Sequence, residues 1–228
     1  MSFPVDCVEM NTIGTLNVLE AAAEAGAKKL CFSTSAAIYG DNPTVPKREE
    51  MIPEPKSPYA VTKLSGEYYC GMFTAEGRLA TACLRYFNVF GPRQDPGSQY
   101  AAAVPIFVSR ALKGETITIF GDGEQTRDFI YVKDIVAANA FFAMNEEKCG
   151  VHNVAYGGSI TINELARKIV ALTGSSSVIA HAPERAGDVK HSRAAVDRLN
   201  ATGFKPTSDF DAGLEKTIEF FRAKWSCA

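Results

Sequence analysis

The run Leu30-Cys31-Phe32-Ser33-Thr34-Ser35 constrains this chain most, because three apolar residues close on three small hydroxyl side chains. A short apolar run bounded by turn signals suits a buried strand of a parallel sheet, whose C-terminal end opens onto a site. A helical pattern precedes it over residues 8–25: Ile13, Leu16, Leu19 and Ala23 recur at helical spacing, and Gly26 stands where a glycine stop belongs. The alternation then repeats. A loop rich in proline and charge covers residues 41–58, and a second helix opens at Tyr59, with Ser57 placed to cap it and Pro58 in its first turn. Residues 82–87 read as the next strand, broken by Gly91-Pro92. A helix over 101–112, a strand over 116–120, a helix over 132–144 and a strand over 151–155 follow.

The C-terminal part is helical with clear punctuation. Thr161-Ile162-Asn163-Glu164 is a capping-box pattern, and Gly174 closes the helix it opens. A last amphipathic helix over 212–224 carries Leu214, Ile218 and Phe221 on one face. Alternating helices and short strands predict an α/β fold with a smaller mixed α+β portion toward the C-terminus.

Composition narrows the partners. With 46% apolar and 22% charged residues, the chain has the make-up of a soluble globular protein, and its net charge of -2 gives no drive toward nucleic acid or an anionic membrane. Cys7, Cys31, Cys70, Cys83, Cys149 and Cys227 form no CxxC pair, and His152, His181 and His191 are not paired at ligand spacing. No metal site is therefore expected, and free thiols in a reducing cytosol are the reading. Neither a leader pattern nor an apolar run of membrane-spanning length is visible, so a soluble cytoplasmic protein is expected.

The sharpest chemical pattern is Tyr59-Ala60-Val61-Thr62-Lys63, with Ser33-Thr34-Ser35 upstream. Positions i and i+4 share a helix face, so the phenol and the ammonium project to one side. A neighbouring ammonium favours a phenolate, which is what a general base needs to take a proton from a hydroxyl. A serine at a strand end can hydrogen-bond the same oxygen. Alone, a Tyr and a Lys four residues apart are also an ordinary surface pair.

Four further stretches surround that pattern. Phe32-Ser33-Thr34-Ser35-Ala36-Ala37-Ile38-Tyr39-Gly40, Leu84-Arg85-Tyr86-Phe87-Asn88-Val89-Phe90-Gly91-Pro92, Gly121-Asp122-Gly123-Glu124-Gln125-Thr126-Arg127-Asp128-Phe129 and Arg185-Ala186-Gly187-Asp188 stand in order around Ser57-Pro58-Tyr59-Ala60-Val61-Thr62-Lys63. In order and spacing the chain resembles the extended short-chain dehydrogenase/reductase family, in its NAD-dependent epimerase/dehydratase branch and nearest the nucleotide-sugar 4-epimerases. The resemblance implies a Rossmann-like cofactor domain over 1–91 and 130–156, and a nucleotide-sugar portion over 92–129 and 157–228. It implies that Tyr59 is the acid/base, that Lys63 tunes it and holds the cofactor ribose, and that Ser35 binds the reacting oxygen. Tyr86 and Phe87 join Tyr59 and Lys63 as NAD contacts. Asn88, Arg127 and Arg185 match residues that grip a nucleotide diphosphate, Asp188 one that holds the nucleoside, and Phe120 one beside the uracil. Val104 belongs to the same substrate set. Arg127 and Arg185 also read as ordinary surface ion-pair partners, and Phe120 as core.

The implied reaction is 4-epimerisation of a UDP-hexose, with NAD removing and returning hydride at C4. The dehydratase branch carries an acidic pair directly after the serine/threonine position. Here Ala36 and Ala37 stand in its place, which counts against dehydration. Ser192 is small where some members carry a tyrosine beside the sugar, which leaves room for an N-acetyl group; it reads equally as a loop residue. Alternatives are another UDP-sugar reaction of the family, such as decarboxylation or uronate epimerisation, or a non-catalytic nucleotide-sugar-binding subunit.

One departure qualifies the cofactor. Family members open with a glycine-rich turn for the NAD pyrophosphate, and no GxGxxG or GxxGxxG occurs here. Asn11, Gly14 and Thr15 match the helix after the fourth strand, so the expectation is a truncated Rossmann-like sheet with weakened NAD binding. The helices over 8–25 and 59–74 match the pair that builds a homodimer interface in relatives. Leu16, Leu19, Leu64 and Tyr68 supply either that interface or the monomer core.

Overall fold

The computed structural model describes residues 4–98, 102–184 and 189–226. In chain order it holds α1 (Pro4–Val8), a π-helical turn (Glu9–Ile13), α2 (Gly14–Glu24), β1 (Lys29–Ser35), a 3-10 turn (Ala36–Tyr39), α3 (Pro58–Ala75), β2 (Ala80–Tyr86) and β3 (Asn88–Phe90). Then come α4 (Ala103–Leu112), β4 (Ile117–Phe120), β5 (Thr126–Arg127), β6 (Phe129–Tyr131), α5 (Val132–Met144) and β7 (Gly150–Val154). The last elements are β8 (Ile160–Thr161), α6 (Ile162–Thr173), β9 (Ile179–Ala182), β10 (His191–Ser192), α7 (Asp197–Ala201) and α8 (Phe210–Ser226). No helix among the described residues is long and apolar enough to cross a membrane.

The local punctuation acts as the sequence indicates. Ser57 is extended and its hydroxyl accepts from Ala60 N at 3.2 Å, with Pro58 opening α3. Thr161 and Glu164 complete both halves of the capping box, at 3.0 and 2.9 Å, and Gly174 ends α6 in the left-handed region. The first helix departs from a regular one. Gly14 N donates to Glu9 O, five residues back, so its first part is a π turn.

The chain divides into two compact units, Met1–Phe87 with Val136–Val154 and Ala194–Lys205, and Asn88–Ile135 with Ala155–Arg193 and Pro206–Ala228. Residues 194–205 thus pack with the first unit, although the sequence places them in the nucleotide-sugar portion. The reason is local: Ala195 N donates to Lys47 O at 2.8 Å, Asn153 Nδ2 donates to the same oxygen at 2.9 Å, and Leu199 is fully buried.

The first unit is Rossmann-like. Its sheet runs β1-β2-β7, all parallel, with Ser33 opposite Leu84 and Leu84 opposite His152. Alternate residues of a strand face opposite sides of the sheet. Leu30 and Phe32 pack on one side against the core of Leu19, Cys70, Phe73 and Cys83. α3 approaches β1 closely at Gly66, where an added Cβ meets the Phe32 ring at 2.4 Å. On the other side Cys31 Sγ reaches Asn139 O of α5 at 3.8 Å, and the Phe142 ring lies 4.7 Å from that of His152. Leu19 is therefore core rather than interface.

A polar network runs through this unit. Arg85 Nε and Nη2 donate to the two Glu67 carboxylate oxygens at 2.9 and 2.6 Å, and both side chains are 4% exposed. Thr34 donates to Glu67 at 2.7 Å, and Arg85 Nη1 donates to Tyr39 Oη at 2.9 Å. Tyr39 in turn donates to Asn153 Oδ1 at 2.7 Å. Every partner of the ion pair is itself bonded, as a buried charge requires.

In the second unit α4, α6 and α8 surround short strands paired as β3-β6, β4-β9 and β10-β5-β8. Phe90, Tyr131, Leu165, Leu214 and Phe221 form its centre. Asp134 pins the segment before α8: its Oδ1 accepts from Thr207 N and Ser208 N at 2.9 and 3.2 Å, and its Oδ2 from Tyr156 Oη at 2.6 Å. Burial pushes the Asp134 carboxyl up, but these bonds outweigh it and hold it below its ordinary value.

Glu67→Ala strands the Arg85 guanidinium, and the expected loss is about 3–5 kcal/mol in urea unfolding. A loss below about 1 kcal/mol, the range of an exposed pair, contradicts the buried geometry. For Asp134 the folded carboxyl lies below its unfolded value near ~3.9, so its contribution is present above that pH and fades as pH falls through the folded value. Asp134→Asn therefore destabilises most at neutral pH. Its deficit relative to the wild type shrinks under acid; a deficit constant from pH 7 down to 2 contradicts the assignment.

Candidate functional site

The C-terminal end of β1 and the first turns of α3 bring three of the sequence-indicated residues together. Lys63 Nζ stands 5.7 Å from the centroid of the Tyr59 ring and 5.1 Å from that of Phe32. It donates to Ser33 O at 2.9 Å, two residues before Ser35. Burial pushes the Lys63 ammonium below the usual lysine range. Tyr59 is 44% exposed, so its phenol is open to an incoming ligand. Ser35 is the N-cap of the 3-10 turn, and its hydroxyl accepts from Ala37 N at 3.1 Å while keeping its own proton to donate. Asn11, which carries no assigned role in the sequence reading, donates to Thr62 Oγ1 at 3.2 Å, and Thr62 donates to Tyr59 O at 2.8 Å. The π turn thereby braces the start of α3.

The two expected cofactor residues at the end of β2, Tyr86 on the strand and Phe87 just after it, sit differently. The Tyr86 hydroxyl is engaged by Ser33 Oγ at 2.9 Å and by the Asn139 amide. Phe87 is buried with its ring 6.3 Å from Tyr39, so its side chain is packed inside the unit.

The second unit holds a cavity of about 280 Å³ lined by Asn88, Ala103, Ile106, Arg110, Phe120, Gln125, Arg127 and Phe129, among others. Three of the sequence-indicated substrate residues meet there: Asn88, Phe120 and Arg127. Asn88 Nδ2 donates to Asp128 O at 3.1 Å, and Arg127 Nη1 to Thr126 O at 2.9 Å. Ser192 pairs with Arg127 in the β10–β5 ladder. Val104 sits apart from them. It is fully buried in the core of this unit, because its place on α4 points inward, and Ala103 and Ile106 line the cavity instead. Arg185 and Asp188 lie outside the described residues.

Two cavity residues carry no role in the sequence reading. Gln125 Nε2 donates to Phe120 O at 2.7 Å, fixing the turn that presents Phe120. Gln125 lies inside the Gly121–Phe129 motif, which is the signal that could have found it. Arg110 donates to Thr118 Oγ1 at 2.9 Å from α4, and nothing in its neighbourhood of the sequence marks it. Among the described residues no group of His, Cys, Asp and Glu is arranged to hold a metal ion.

Residues 1–155 match the NAD dependent epimerase/dehydratase family. The chain is 36% identical over 219 residues to the UDP-glucose 4-epimerase of Mycolicibacterium smegmatis, covering 94% of this chain and 69% of that protein. It is 34% identical over 236 residues to the UDP-N-acetyl-alpha-D-glucosaminuronate decarboxylase of Bacillus cytotoxicus, covering 97% of this chain and 72% of that one. Among solved structures it is similar to the UDP-N-acetylglucosamine 4-epimerase of Methanobrevibacter ruminantium M1 in complex with UDP-N-acetylmuramic acid. There the TM-score is 0.92 and the identity 44%, covering 95% of this chain and 70% of that one.

Proposed function

The chain belongs to the NAD dependent epimerase/dehydratase family, and from that premise we propose that it carries UDP-hexose 4-epimerase chemistry. The substrates proposed are UDP-glucose and UDP-galactose and, because Ser192 is small, the N-acetyl pair as well. The observation that carries the reading is the placing of Lys63: its ammonium lies over the Tyr59 ring and is bonded to the β1 backbone beside Ser35.

In this reading the Tyr59 phenol takes the proton from the sugar O4 and later gives it back. Ser35 donates a hydrogen bond to the same oxygen as it becomes a carbonyl. Lys63 has three N–H donors and spends one on Ser33 O, which leaves two that fit the ribose hydroxyls of a nicotinamide nucleotide. NAD, when bound, supplies the hydride acceptor and donor for C4. The residues present fit the nicotinamide end of NAD, while the sequence contains no glycine-rich turn for its pyrophosphate. Asn88 and Arg127 are proposed to hold the substrate diphosphate, with Phe120 against the base. Arg185 and Asp188 keep their expected substrate roles as proposals.

A second reading is favoured by the 34% identity to a decarboxylase, namely loss of CO2 from a UDP-uronate. A third is nucleotide-sugar binding without catalysis. Proton NMR of UDP-glucose, UDP-GlcNAc and UDP-glucuronate, each incubated with the chain and NAD, separates them. The expected result is the 4-epimer of the first two, reduced at least about 10²-fold by Tyr59→Phe. A pentose product from the uronate supports the second reading. UDP binding without any product supports the third, and epimerisation that survives in Tyr59→Phe sinks the assignment of the base.

The same two helical segments suggest a homodimer. Met10, Ile13 and Val18 on the first, and Val61, Tyr68 and Met72 on α3, are large apolar side chains left exposed, with Met10 at 78% and Tyr68 at 59%. The five described cysteines are free thiols, in keeping with a reducing cytosol. Light scattering at micromolar concentration is expected to give a dimer, and Tyr68→Glu with Met72→Glu a monomer. A wild-type chain that stays monomeric rules this interface out.

A further inference from the structure

Lys63 is held by the carbonyl of Ser33, a residue of β1. β1 is paired with β2 alone among the described residues, and Ser33 O is turned to the Lys63 ammonium at 2.9 Å. β1 is laddered to β2 throughout Lys29–Ser35, so the sheet sets the strand, and a further grip on Ser33 holds its carbonyl in line. Its side chain supplies the grip, with Ser33 Oγ 2.9 Å from Tyr86 Oη. Tyr86 is opposite Ser35 in the register, so it lies diagonal to Ser33 on the same face of the sheet.

Behind Tyr86 stands Asn139 of α5. Its Nδ2 donates to Tyr86 Oη at 2.6 Å, and its Oδ1 accepts from the same hydroxyl at 2.9 Å. A phenol that donates to the amide oxygen keeps a lone pair to accept from Ser33 Oγ. The backbone of α5 sits on the same strand, where Cys31 Sγ reaches Asn139 O at 3.8 Å. A continuous chain of bonds thus runs from α5 through β2 and β1 to the ammonium carried by α3.

We propose that Asn139 is a positioning residue for Lys63, acting through the Tyr86 hydroxyl and Ser33. Asn139 fixes the phenol, the phenol fixes the Ser33 side chain, and Ser33 presents its carbonyl to the ammonium. The proposal rests on the reading of Lys63 as the partner of Tyr59. The bland alternative is that these bonds only fasten α5 to the sheet, and the two differ in what happens at Lys63. Burial disfavours the charged form of Lys63, whereas Cys7 of α1 and a carbonyl bonded to the ammonium favour it. Loosening the carbonyl leaves burial less opposed, so Lys63 loses its proton at lower pH.

The test is a nitrogen-15 NMR titration of the Lys63 ammonium in the whole chain, with Lys63→Met to assign its signal. Neither substrate nor NAD is needed. Tyr86→Phe and Asn139→Ala are each expected to lower the Lys63 midpoint by about half a pH unit, a fraction of one charged hydrogen bond. The double variant is expected to move it no further than the larger single change, since both act along one path. Asn145→Ala, which removes a bond to Phe141 O on the same helix, leaves the midpoint in place. A midpoint unmoved in Tyr86→Phe or Asn139→Ala, with circular dichroism and melting showing a folded chain, overturns the proposal. Should Asn139→Ala not fold, Tyr86→Phe decides alone. An absence of 4-epimerase activity sinks the proposed function without touching this readout, so the two failures are distinguishable.

Discussion

The bidentate Arg85–Glu67 pair is the interaction on which the first unit depends. It joins β2 to α3 in the dry interior, and through Thr34, Tyr39 and Asn153 it reaches β1, the 3-10 turn and β7. A buried pair is a weak source of net stability, because the Coulomb gain is set against the desolvation of both ions. Its effect here is geometric. Arg85 has a planar fork and Glu67 two fixed oxygens, so α3 has one rotation and one height at which both bonds form. Tyr59 lies about two turns and Lys63 about one turn earlier on that helix, and both inherit its setting. Hydrophobic packing alone leaves a helix more freedom to slide, since apolar contact carries little direction.

The period of two in β1 divides labour along the strand. Leu30, Phe32 and Thr34 face α3 and the core, where Gly66 lets the helix approach and Glu67 meets Thr34. Ser33 and Ser35 face the other side with Tyr86. A slip of one residue would bury both serines under α3 and turn Phe32 and Thr34 to the opposite face. The apolar pattern that folds the strand therefore also decides which hydroxyls are available for chemistry. Lys63 escapes the division by its length: it leaves α3 across the Phe32 ring and reaches a backbone carbonyl, whichever way the neighbouring side chains point.

Much of this was legible in the sequence, for identifiable reasons. The starts of α3 and α6 follow from Ser57-Pro58 and from Thr161 with Glu164, which act over four residues and need no tertiary context. The pairing of Tyr59 with Lys63 follows from helical period alone. The short strands β3, β5, β6, β8 and β10 escaped because two or three residues hold no period to read. The π turn escaped because nothing in its composition separates it from an ordinary helix. Placing residues 194–205 required the contact of Ala195 with Lys47, far apart in the chain. Val104 shows what a match by position leaves open: it does not say which way a helical side chain faces, and here the side chain is buried in the core.

The cavity of the second unit obeys a related economy. Gln125 spends its amide on Phe120 O, and Arg110 one nitrogen on Thr118 Oγ1, so polar side chains at its wall are partly committed to holding that wall. A wall braced in this way loses little rotamer freedom when a ligand arrives, and that is where preorganised sites gain affinity. The ladder adds a geometric coupling. Ser192 and Arg127 are opposite one another on β10 and β5, so any displacement of the arginine strand carries the serine with it. If Arg127 grips a diphosphate and Ser192 flanks the attached sugar, tolerance at C2 and grip on the phosphates are properties of one pair of strands. A bulkier residue at 192 then acts on both, by crowding the sugar and by straining the register that sets the arginine.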